Sequence, residues 1–433
     1  MSVFDKQDED FARGARAVVA LPDLRKANPR SLDARLDEAA GLAAAIGIVV
    51  AEKVALRVRA VRPATLFGQG QIDTLRAHAE LHAAELLIVD GALTPVQQRN
   101  LEEALAIKVI DRTGLILEIF GERAASAEGR LQVELAHLDY QQGRLVRSWT
   151  HLERQRGGFG FLGGPGETQI EADRRMIRDR MAKLRREIAA LSRTRKLHRD
   201  RRARAPWPVV ALVGYTNAGK STLFNRLTGA SVMAEDLLFA TLDPTMRQVA
   251  LPGIDKAILS DTVGFVSDLP TQLVTAFHAT LEEVTAADLI VHVRDISHED
   301  SEAQAEDVRR VLAEIGATGE GKAPLIEVWN KIDLLDGDAL ATLRDDAAKR
   351  ADAFAMSAEQ GEGIQGFVEG ISALLTSSQR RRDIVLGAEE GAAIAWLHQH
   401  GRVLEERLER DRMIIAVQLT DKDYARFVSR AFA

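Results

Sequence analysis

The segment PVVALVGYTNAGKSTLFNRLTG, residues 208–229, determines the fold expected for the centre of this 433-residue chain. An apolar run ends at a glycine, the pattern G-x4-G-K-S follows, and a helix-forming stretch comes next. Glycines at such a turn let backbone N–H groups face phosphate oxygens, and the positive end of the next helix attracts the same anion. The lysine reaches the terminal phosphates, and the serine hydroxyl ligates Mg²⁺. The predicted phosphate contacts are Gly214, Tyr215, Thr216, Asn217, Ala218, Gly219, Lys220 and Ser221.

A second motif indicates which base the site accepts. The stretch EVWNKIDLL, residues 327–335, places N-K-x-D directly after an apolar run. The Asp333 carboxylate can accept hydrogen bonds from both N1–H and the 2-amino group of guanine, whereas adenine has no donors there. Backbone amides of MSAEQGEGI, residues 356–364, would close over the base. The predicted base contacts are Asn330, Lys331, Ile332, Asp333, Ser357, Ala358 and Glu359.

Two further segments concern Mg²⁺ and the γ-phosphate. In AILSDTVG, residues 257–264, Asp261 would hold Mg²⁺ through water and the Gly264 N–H would touch the γ-phosphate. In FATLDPT, residues 239–245, Thr241 is the predicted second Mg²⁺ ligand, with Thr245 as the alternative. The predicted contacts here are Phe239, Ala240, Thr241, Leu242, Asp243, Asp261, Thr262, Val263 and Gly264, and the predicted metal ligands are Ser221, Thr241 and Asp261. Five motifs in this order define a GTPase domain that binds GTP and GDP.

The rest of the pattern predicts an α/β protein of four parts. Strand-like and helix-like runs alternate before the P-loop region, and a wholly helical region follows them with one glycine-rich interruption, GGFGFLGGPG (157–166). Two long helices joined by a loop would pack antiparallel as a hairpin arm. The predicted parts are an N-terminal parallel α/β domain (1–111), the helical arm (112–205), the P-loop domain (206–378) and a small C-terminal α/β domain (379–433).

Composition restricts the environment and the partners. The formal net charge is −7, yet residues 173–204 carry 14 Lys and Arg against 4 Asp and Glu, so a basic arm lies within an acidic chain. There is no cysteine, the first ten residues lack the apolar core of a signal peptide, and no apolar run reaches the length of a membrane span. We expect a cytoplasmic monomer without a membrane span, whose basic arm binds RNA and not DNA.

Five stretches of the chain, taken together, resemble segments of one protein family. They are DTVG followed by Phe265, FATLD, GPGETQIEADRR (164–175), PATLFGQGQI (63–72) and EGRLQVELAHLDY (128–140). They resemble the HflX family, within the translation-factor-related class of GTPases, over nearly the whole chain and most loosely in the last 50 residues. The resemblance implies GTP hydrolysis and engagement of the large (50S) ribosomal subunit through its rRNA, with splitting or rescue of stalled ribosomes or a role in subunit biogenesis under stress.

Phe265 stands where Ras-like GTPases have the glutamine that orients the attacking water. A phenyl ring cannot polarise water, so three other sources of the catalytic group are open. Asn217 could help to hold K⁺ beside the phosphates, as the asparagine of related potassium-activated GTPases does, or it could only suit a tight turn. A partner could supply a group, or Asp268 could position the water. The predicted catalytic residues are Lys220, Asn217 and Gly264.

Two other functions are compatible with the same motifs. The GTPase domain could be a switch that regulates RNA modification or metal transport, although the lack of a membrane span opposes transport. The chain could instead be a nucleotide-sensing scaffold with a second, ATP-binding site in the N-terminal domain. The stretch FGQGQ, with Gly68 and Gly70, motivates that site, and the family resemblance also implies ATP binding there.

Overall fold

A computed structural model describes most of the chain. The described residues are 14–24, 30–155, 165–202, 207–230, 239, 245–267, 278–377, 379–387, 389–409 and 412–429.

The N-terminal domain is a four-stranded parallel sheet in the order β2-β1-β3-β4. Its strands are β1 (Arg16–Asp23), β2 (Val49–Arg57), β3 (Leu86–Val89) and β4 (Lys108–Asp111). Its helices are α1 (Leu32–Ala44), α2 (Gln69–Leu81), α3 (Pro95–Leu105) and α4 (Arg112–Arg123).

Local sequence signals set where two of these helices begin. The Ser31 hydroxyl accepts from the Ala34 N–H at 3.1 Å, as expected of an N-cap. Thr94 and Gln97 form a reciprocal capping box, with Pro95 in the first turn. Each cap satisfies backbone donors that a helix start would otherwise leave open.

The alternation along β1 separates the two faces of this sheet. Ala17, Val19 and Leu21 pack towards α1 and α4, whereas Val18 and Ala20 pack towards α2 and α3. Since successive strand residues point to opposite faces, an apolar run of this kind is buried on both sides.

The arm consists of two long helices, α5 (Ala127–Gln155) and α6 (Pro165–Arg202). At 38 residues, α6 is about 57 Å long. Met181 and Leu184 of α6 are buried, and Arg180 pairs with Glu134 of α5 at 2.7 Å. The glycine-rich segment between the helices lies outside the described residues. The region predicted as arm also includes α4, whose residues Leu115, Ile116 and Phe120 lie in the core shared with α1.

The third part is a six-stranded sheet in the order β10-β9-β8-β5-β7-β6, in which only the β6–β7 pair is antiparallel. Its strands are β5 (Val209–Gly214), β6 (Thr245–Leu251), β7 (Ile254–Asp261), β8 (Leu289–Asp295), β9 (Leu325–Asn330) and β10 (Ala353–Ala355). Its helices are α7 (Lys220–Thr228), α8 (His278–Thr285), α9 (Ser301–Glu314), α10 (Gly337–Ala348) and α11 (Ile364–Ser377), with a 3₁₀ turn at Ile332–Leu334.

The C-terminal domain is a three-stranded antiparallel sheet with its own core. Its elements are β11 (Gln379–Gly387), α12 (Gly391–His400), β12 (Arg402–Glu409), β13 (Arg412–Thr420) and α13 (Asp421–Ser429). The sequence analysis missed β11, because its three successive arginines hide the alternation of a one-sided strand. Arg382 of β11 lies over the Tyr424 ring, 3.8 Å from its centroid, so the guanidinium packs as well as carries charge.

The predicted α/β fold class is confirmed by these three sheets and the helical arm. The N-terminal and P-loop domains also share one continuous apolar core, which the sequence did not predict. Residues of α4 such as Phe120 pack in it together with Phe239, Val263 and Phe265. The two domains therefore meet next to the segments expected to sense the γ-phosphate.

Candidate active site

The motifs converge because three parallel strands end at one edge of the six-stranded sheet. β5 ends at Gly214, β7 at Asp261 and β9 at Asn330. Ligands of open α/β sheets bind at the carboxyl ends of the strands, so the sheet itself assembles this site.

The first and last glycines of the P-loop are required because other atoms of the protein lie too close to them for a side chain. Gly214 has φ +154°, and a Cβ there would lie 2.2 Å from the Val293 carbonyl oxygen. Gly219 has φ +91°, and its Cβ would lie 2.1 Å from Nδ2 of Asn330. No side chain fits at either position, so both glycines are fixed by the fold as well as by phosphate access.

Lys220 is buried at the start of α7, where its Nζ donates to the Tyr215 carbonyl at 2.7 Å. Burial lowers the pKa of Lys220 to about 8, and the charge of Asp261 opposes that shift. An ammonium held by one carbonyl in a buried site retains donors for an anion. Lys220 therefore has the chemistry expected for a ligand of the terminal phosphates.

Ser221 and Asp261 form the candidate Mg²⁺ centre. The Ser221 hydroxyl donates to Oδ2 of Asp261 at 2.8 Å. A hydroxyl and a carboxylate side by side are the hard oxygen donors that Mg²⁺ prefers, so the residues present fit the ion. Thr245, the alternative to Thr241, begins β6 directly opposite Asp261. Thr241 itself lies outside the described residues, as do Ala240, Leu242 and Asp243.

Gly264 follows Asp261 in a segment that is held tightly against the P-loop. A Cβ on Gly264 would lie 2.8 Å from Cγ2 of Thr216 and 3.1 Å from Nζ of Lys220. Thr262 and Val263 between them are buried, and the Thr262 hydroxyl donates to the Leu212 carbonyl at 2.7 Å. The backbone of Gly264 thus lies beside the lysine expected to bind the γ-phosphate.

The base loop is organised by Asn330. Its side-chain amide donates to the Ala218 carbonyl at 2.8 Å and accepts from the Ala358 N–H at 2.9 Å. One side chain thus joins the P-loop to the segment around Ser357, which is itself fully buried. Asn330 therefore braces the base loop against the P-loop.

Of the three residues that follow Asn330, Asp333 has a carboxylate oxygen that accepts no hydrogen bond from the described part of the chain. Lys331 has φ +65° and pairs with Asp295 at 2.8 Å, while Ile332 is buried beneath the loop. Oδ1 of Asp333 is buried and makes no hydrogen bond within the described part of the chain. Burial of a carboxylate oxygen without a hydrogen-bond donor costs free energy. Donors of a bound base would remove that cost, as expected of a residue that binds guanine.

Arg226 of α7 supports the same region and was missed by the sequence analysis. Its guanidinium donates to the carbonyl of Ala358 at 2.6 Å and to that of Glu359. These carbonyls therefore point towards α7. Two amides predicted to contact the base have partners within the chain, because the Ser357 N–H donates to the Glu362 carbonyl at 3.0 Å and the Ala358 N–H donates to Asn330. Because any arginine on an amphipathic helix looks alike in sequence, no pattern signalled this role.

Phe265 lies in the shared core and not at the solvent side of the site. Its N–H donates to the Gly214 carbonyl at 3.1 Å, and its carbonyl accepts from the Thr216 N–H at 2.8 Å. The ring is buried, as expected of a residue that does not orient water. Asn217 is exposed with φ +59°, which suits both a cation ligand and a turn residue. Asp268 lies outside the described residues.

Two predicted nucleotide contacts direct their side chains elsewhere. The Tyr215 hydroxyl donates to Oε2 of Glu38 at 2.5 Å and accepts from the Ser267 N–H at 2.7 Å. The Phe239 ring packs edge-on against Phe120, with centroids 4.7 Å apart. Both side chains contact the N-terminal domain, because each lies on the face that this domain covers. Only their backbone groups remain for the nucleotide.

The contact around Tyr215 is a buried charge cluster, which we call the docking cluster. It consists of Arg30, Glu38, Asp90, Arg112, Tyr215, Ser267 and Asp300. Burial alone would raise the pKa of Glu38, but Arg112 and Arg30 lower it to about 2. Arg112 also donates to the Ser267 carbonyl at 3.0 Å. The segment that follows Phe265 is therefore tied to the N-terminal domain.

The FGQGQ stretch forms an ordinary helix start. The Gly68 N–H donates to Oε1 of Gln71 at 2.8 Å, and Nε2 of Gln71 donates to the Arg57 carbonyl at 2.9 Å. The amide that a phosphate would need is already satisfied by the helix's own side chain. Separately, none of the described helices is both long and apolar enough to cross a membrane.

Comparison with known proteins finds both families and a solved structure that are similar to this chain. Four family models match in chain order: "GTP-binding GTPase N-terminal" at 33–121, "GTP-binding GTPase Middle Region" at 123–202, "50S ribosome-binding GTPase" at 209–331 and "HflX C-terminal domain" at 342–431. The crystal structure of a GTP-binding protein from Sulfolobus solfataricus with GDP aligns with a TM-score of 0.45 at 24% identity, covering 83% of this chain and 99% of that one.

Curated relatives are more similar. GTPase HflX of Magnetococcus marinus is 48% identical over 384 residues, which cover 89% of this chain and 88% of the relative. GTPase HflX of Escherichia coli K12 is 40% identical over 392 residues, which cover 90% and 91%. With these matches and a P-loop, DTVG and NKID site assembled at one sheet edge, the chain belongs to the HflX family of GTPases, hydrolases that act on GTP.

Proposed function

We propose that the chain uses GTP binding and hydrolysis to act on the large ribosomal subunit in the cytoplasm, where it splits or rescues stalled ribosomes. The observation that carries this proposal is the charge of α6, an arginine-rich helix that packs on α5 and precedes the P-loop domain in the sequence. The match to a ribosome-binding GTPase family supports the choice of target.

The exposed face of α6 has the charge that rRNA binding requires. Arg180 is exposed but pairs with Glu134 on the α5 side, and Arg175, Arg178, Arg185 and Arg186 are exposed as well. Arginines along a rigid helix can neutralise successive phosphates without reading sequence. The arm therefore supplies affinity, while the nucleotide state of the P-loop domain decides when it is used.

Each part of the nucleotide has a proposed set of ligands. The P-loop amides and Lys220 bind the phosphates, the Gly264 N–H contacts the γ-phosphate, and Asp333 accepts from guanine. Ser221, Thr241 and Asp261 hold Mg²⁺, which when bound neutralises charge on the phosphate oxygens. Hydrolysis adds water to the γ-phosphorus and breaks its bond to the β–γ bridging oxygen. Lys220 offsets the charge that develops on the departing GDP.

The group that assists hydrolysis is Asn217 with K⁺, supplemented by the ribosome. Exchange of Na⁺ for K⁺ at constant ionic strength should raise basal turnover, and Asn217→Ala should abolish that difference with GTP affinity nearly unchanged. Equal rates of the wild-type protein in both salts would contradict the cation role. Turnover should then depend wholly on added 50S subunits, with intrinsic activity near zero.

Co-sedimentation with separated ribosomal subunits tests the target. We expect binding to 50S subunits with a GTP analogue and weaker binding with GDP. Charge reversal at Arg175, Arg178 and Arg185 should weaken binding and flatten the log–log salt dependence by at most about one unit for each lost phosphate contact. The matched control reverses Arg310, Lys322 and Lys349, three exposed cations of the P-loop domain. Equal loss in both variants would show a net-charge effect and contradict the role of the arm.

A further inference from the structure

Three potential metal ligands lie together on the outer face of the N-terminal domain, away from the nucleotide. His78 lies in the last turn of α2, His82 caps that helix, and Glu52 lies on β2. One nitrogen of each imidazole and one carboxylate oxygen all lie within 4.8 Å of one another. This face of the sheet is the one covered by α2 and α3, whereas the P-loop domain meets the face covered by α1 and α4.

The two histidines share a helix face and a fixed backbone. They are four residues apart, so their side chains lie one turn above each other, with rings parallel within 3° and centroids 6.4 Å apart. The His82 carbonyl accepts from Nε of Arg16 at 2.8 Å, which ties the helix end to the start of β1. Ala83 then has φ +47°, a left-handed residue that ends the helix.

A β-bulge directs the third group to the same place. In the β1–β2 ladder Ala17 pairs with Val50 but Val18 pairs with Glu52, so Ala51 is an extra residue. The bulge turns Glu52 to the face that Val18 shares with α2. Bulges are used elsewhere to re-aim a side chain next to a functional site.

The donor set matches a transition metal. We propose that Glu52, His78 and His82 bind one Zn²⁺ ion per chain. Two imidazoles and one carboxylate are a common set of three protein ligands for Zn²⁺, with a fourth position left for water or a partner's group. Oxygen-preferring Mg²⁺ does not favour such a site. Nδ1 of His78 is also buried without a hydrogen-bond partner among the described residues, so one imidazole nitrogen of the set is open to a ligand.

The geometry needs only a small contraction. Nε2 of His82 already lies 3.2 Å from Oε2 of Glu52. Ligands at 2.0–2.1 Å from a tetrahedral ion are about 3.3 Å apart, so the His78 ring has to approach the other two. All three residues are only partly buried, which leaves room for that rotamer change and for entry of the ion.

The competing explanation is an ion pair between protonated His82 and Glu52 at the carboxyl end of a helix, where a cation is favoured. That pair would need neither His78 nor a metal. The experiment must therefore separate loss of a ligand from loss of a hydrogen bond.

Zn²⁺ binding to the full-length, tag-free and nucleotide-free protein tests the proposal, with excess Mg²⁺ present and a chromophoric chelator as competitor. We expect one Zn²⁺ per chain, and Co²⁺ in its place should give the intense visible absorption of a tetrahedral site. His78→Ala and Glu52→Gln should each weaken Zn²⁺ binding by more than about tenfold, since even outer-sphere partners of a metal site are worth 10–100-fold. Glu52→Gln preserves shape and hydrogen bonding, so its folding is not at risk.

The matched control is His398→Ala in the C-terminal domain. His398 also pairs with a glutamate, Glu406 at 2.6 Å, but belongs to no set of three ligands among the described residues. This variant should bind Zn²⁺ as the wild type does. GTP affinity reports folding in every variant and should not change. A wild-type protein without stoichiometric Zn²⁺, or a His78→Ala protein that binds Zn²⁺ normally, would overturn the proposal.

Discussion

Two polar regions lie on opposite sides of the dipeptide Tyr215–Thr216, and they differ in how completely their groups are paired. On the nucleotide side, Oγ1 of Thr216 and Oδ1 of Asp333 are buried without partners within the described residues. On the side of the N-terminal domain, the Tyr215 hydroxyl alone contacts Arg30, Glu38 and Ser267.

The difference separates a ligand site from a docking site. Buried polar groups in folded proteins are nearly always hydrogen-bonded, so open groups that lie among the predicted nucleotide contacts have the state expected before a ligand binds. In the docking cluster Glu38, Asp90 and Asp300 are each paired with an arginine of the same chain, and Nε of Arg112 is the one cluster atom left without a partner among the described residues. Such paired charges hold two domains together. Substitutions on the first side should therefore change nucleotide binding, and those on the second should change stability.

The largest effect is expected from Asp333→Asn. The carboxylate would accept two charge-assisted hydrogen bonds of guanine, each worth about 1.5–3 kcal/mol, so GTP affinity should fall by about 10²–10⁴-fold. The asparagine amide replaces one acceptor by an N–H donor. Xanthine has a carbonyl oxygen where guanine has its 2-amino group, so XTP should become the preferred nucleotide. Competition binding with GTP, XTP and ATP measures this.

The control for Asp333 is Asp336→Asn. Asp336 caps α10 through the Ala339 N–H at 3.2 Å, and asparagine caps a helix equally well. It should bind GTP normally. An Asp333→Asn protein that keeps its preference for GTP would remove the NKID loop from the base site.

Glu38→Gln should produce the next largest effect, on stability. It leaves Arg30 and Arg112 buried without their shared carboxylate, and loss of one partner of a buried ion pair costs about 3–5 kcal/mol. Urea unfolding monitored at the N-terminal domain measures the loss. Glu103→Gln, which breaks an exposed pair with Arg99, should cost at most about 1 kcal/mol. Equal losses would mean that the docking cluster does not hold the domains together.

The same carboxylate gives a pH dependence with a defined sign. The pKa of Glu38 is lowered from 4.5 in the unfolded chain to about 2 in the folded one. Its contribution is therefore complete above about pH 4.5 and is lost as the pH falls towards 2. Wild-type stability should decline more steeply than that of Glu38→Gln between these values. Parallel curves would contradict the assignment.

The comparison also explains what the sequence could predict. Motifs made of glycines and one lysine or aspartate specify backbone geometry within a few residues, so the sequence alone predicts Gly214, Asp261 and Asn330 at strand ends and Lys220 at a helix start. The docking cluster joins residues such as Arg30 and Ser267 that are 237 positions apart. Each is an ordinary polar residue in its own segment, and only the packing of two domains gives it a role.

Tyr215 and Thr216 provide a smaller and more local test. Tyr215→Phe removes a hydroxyl from the docking cluster and should lower stability by about 1–3 kcal/mol, while GTP affinity stays within about twofold. Thr216→Val is nearly isosteric and removes a hydroxyl that has no partner in the described structure, so it should not destabilise the protein. Urea unfolding and GTP titration of both variants measure the two effects. A Tyr215→Phe protein with normal stability and weak GTP binding would reverse the assignment of the two sides.

The smallest effect is expected from Arg226→Lys, which lies on the ligand side but contacts only the chain itself. Lysine keeps the charge but cannot reach two carbonyls at once as the planar guanidinium does. The segment around Ala358 and Glu359 should then loosen, because one of its carbonyls loses its donor. At about 1 kcal/mol for one hydrogen bond, GDP and GTP should both dissociate about fivefold faster, with no change in base preference. Stopped-flow dissociation of a fluorescent nucleotide measures this.

The exposed Arg344, which pairs with Glu362, gives the control. Arg344→Lys should leave nucleotide dissociation unchanged. A selective loss of GTP over GDP would place the influence of Arg226 at the γ-phosphate and not at the base.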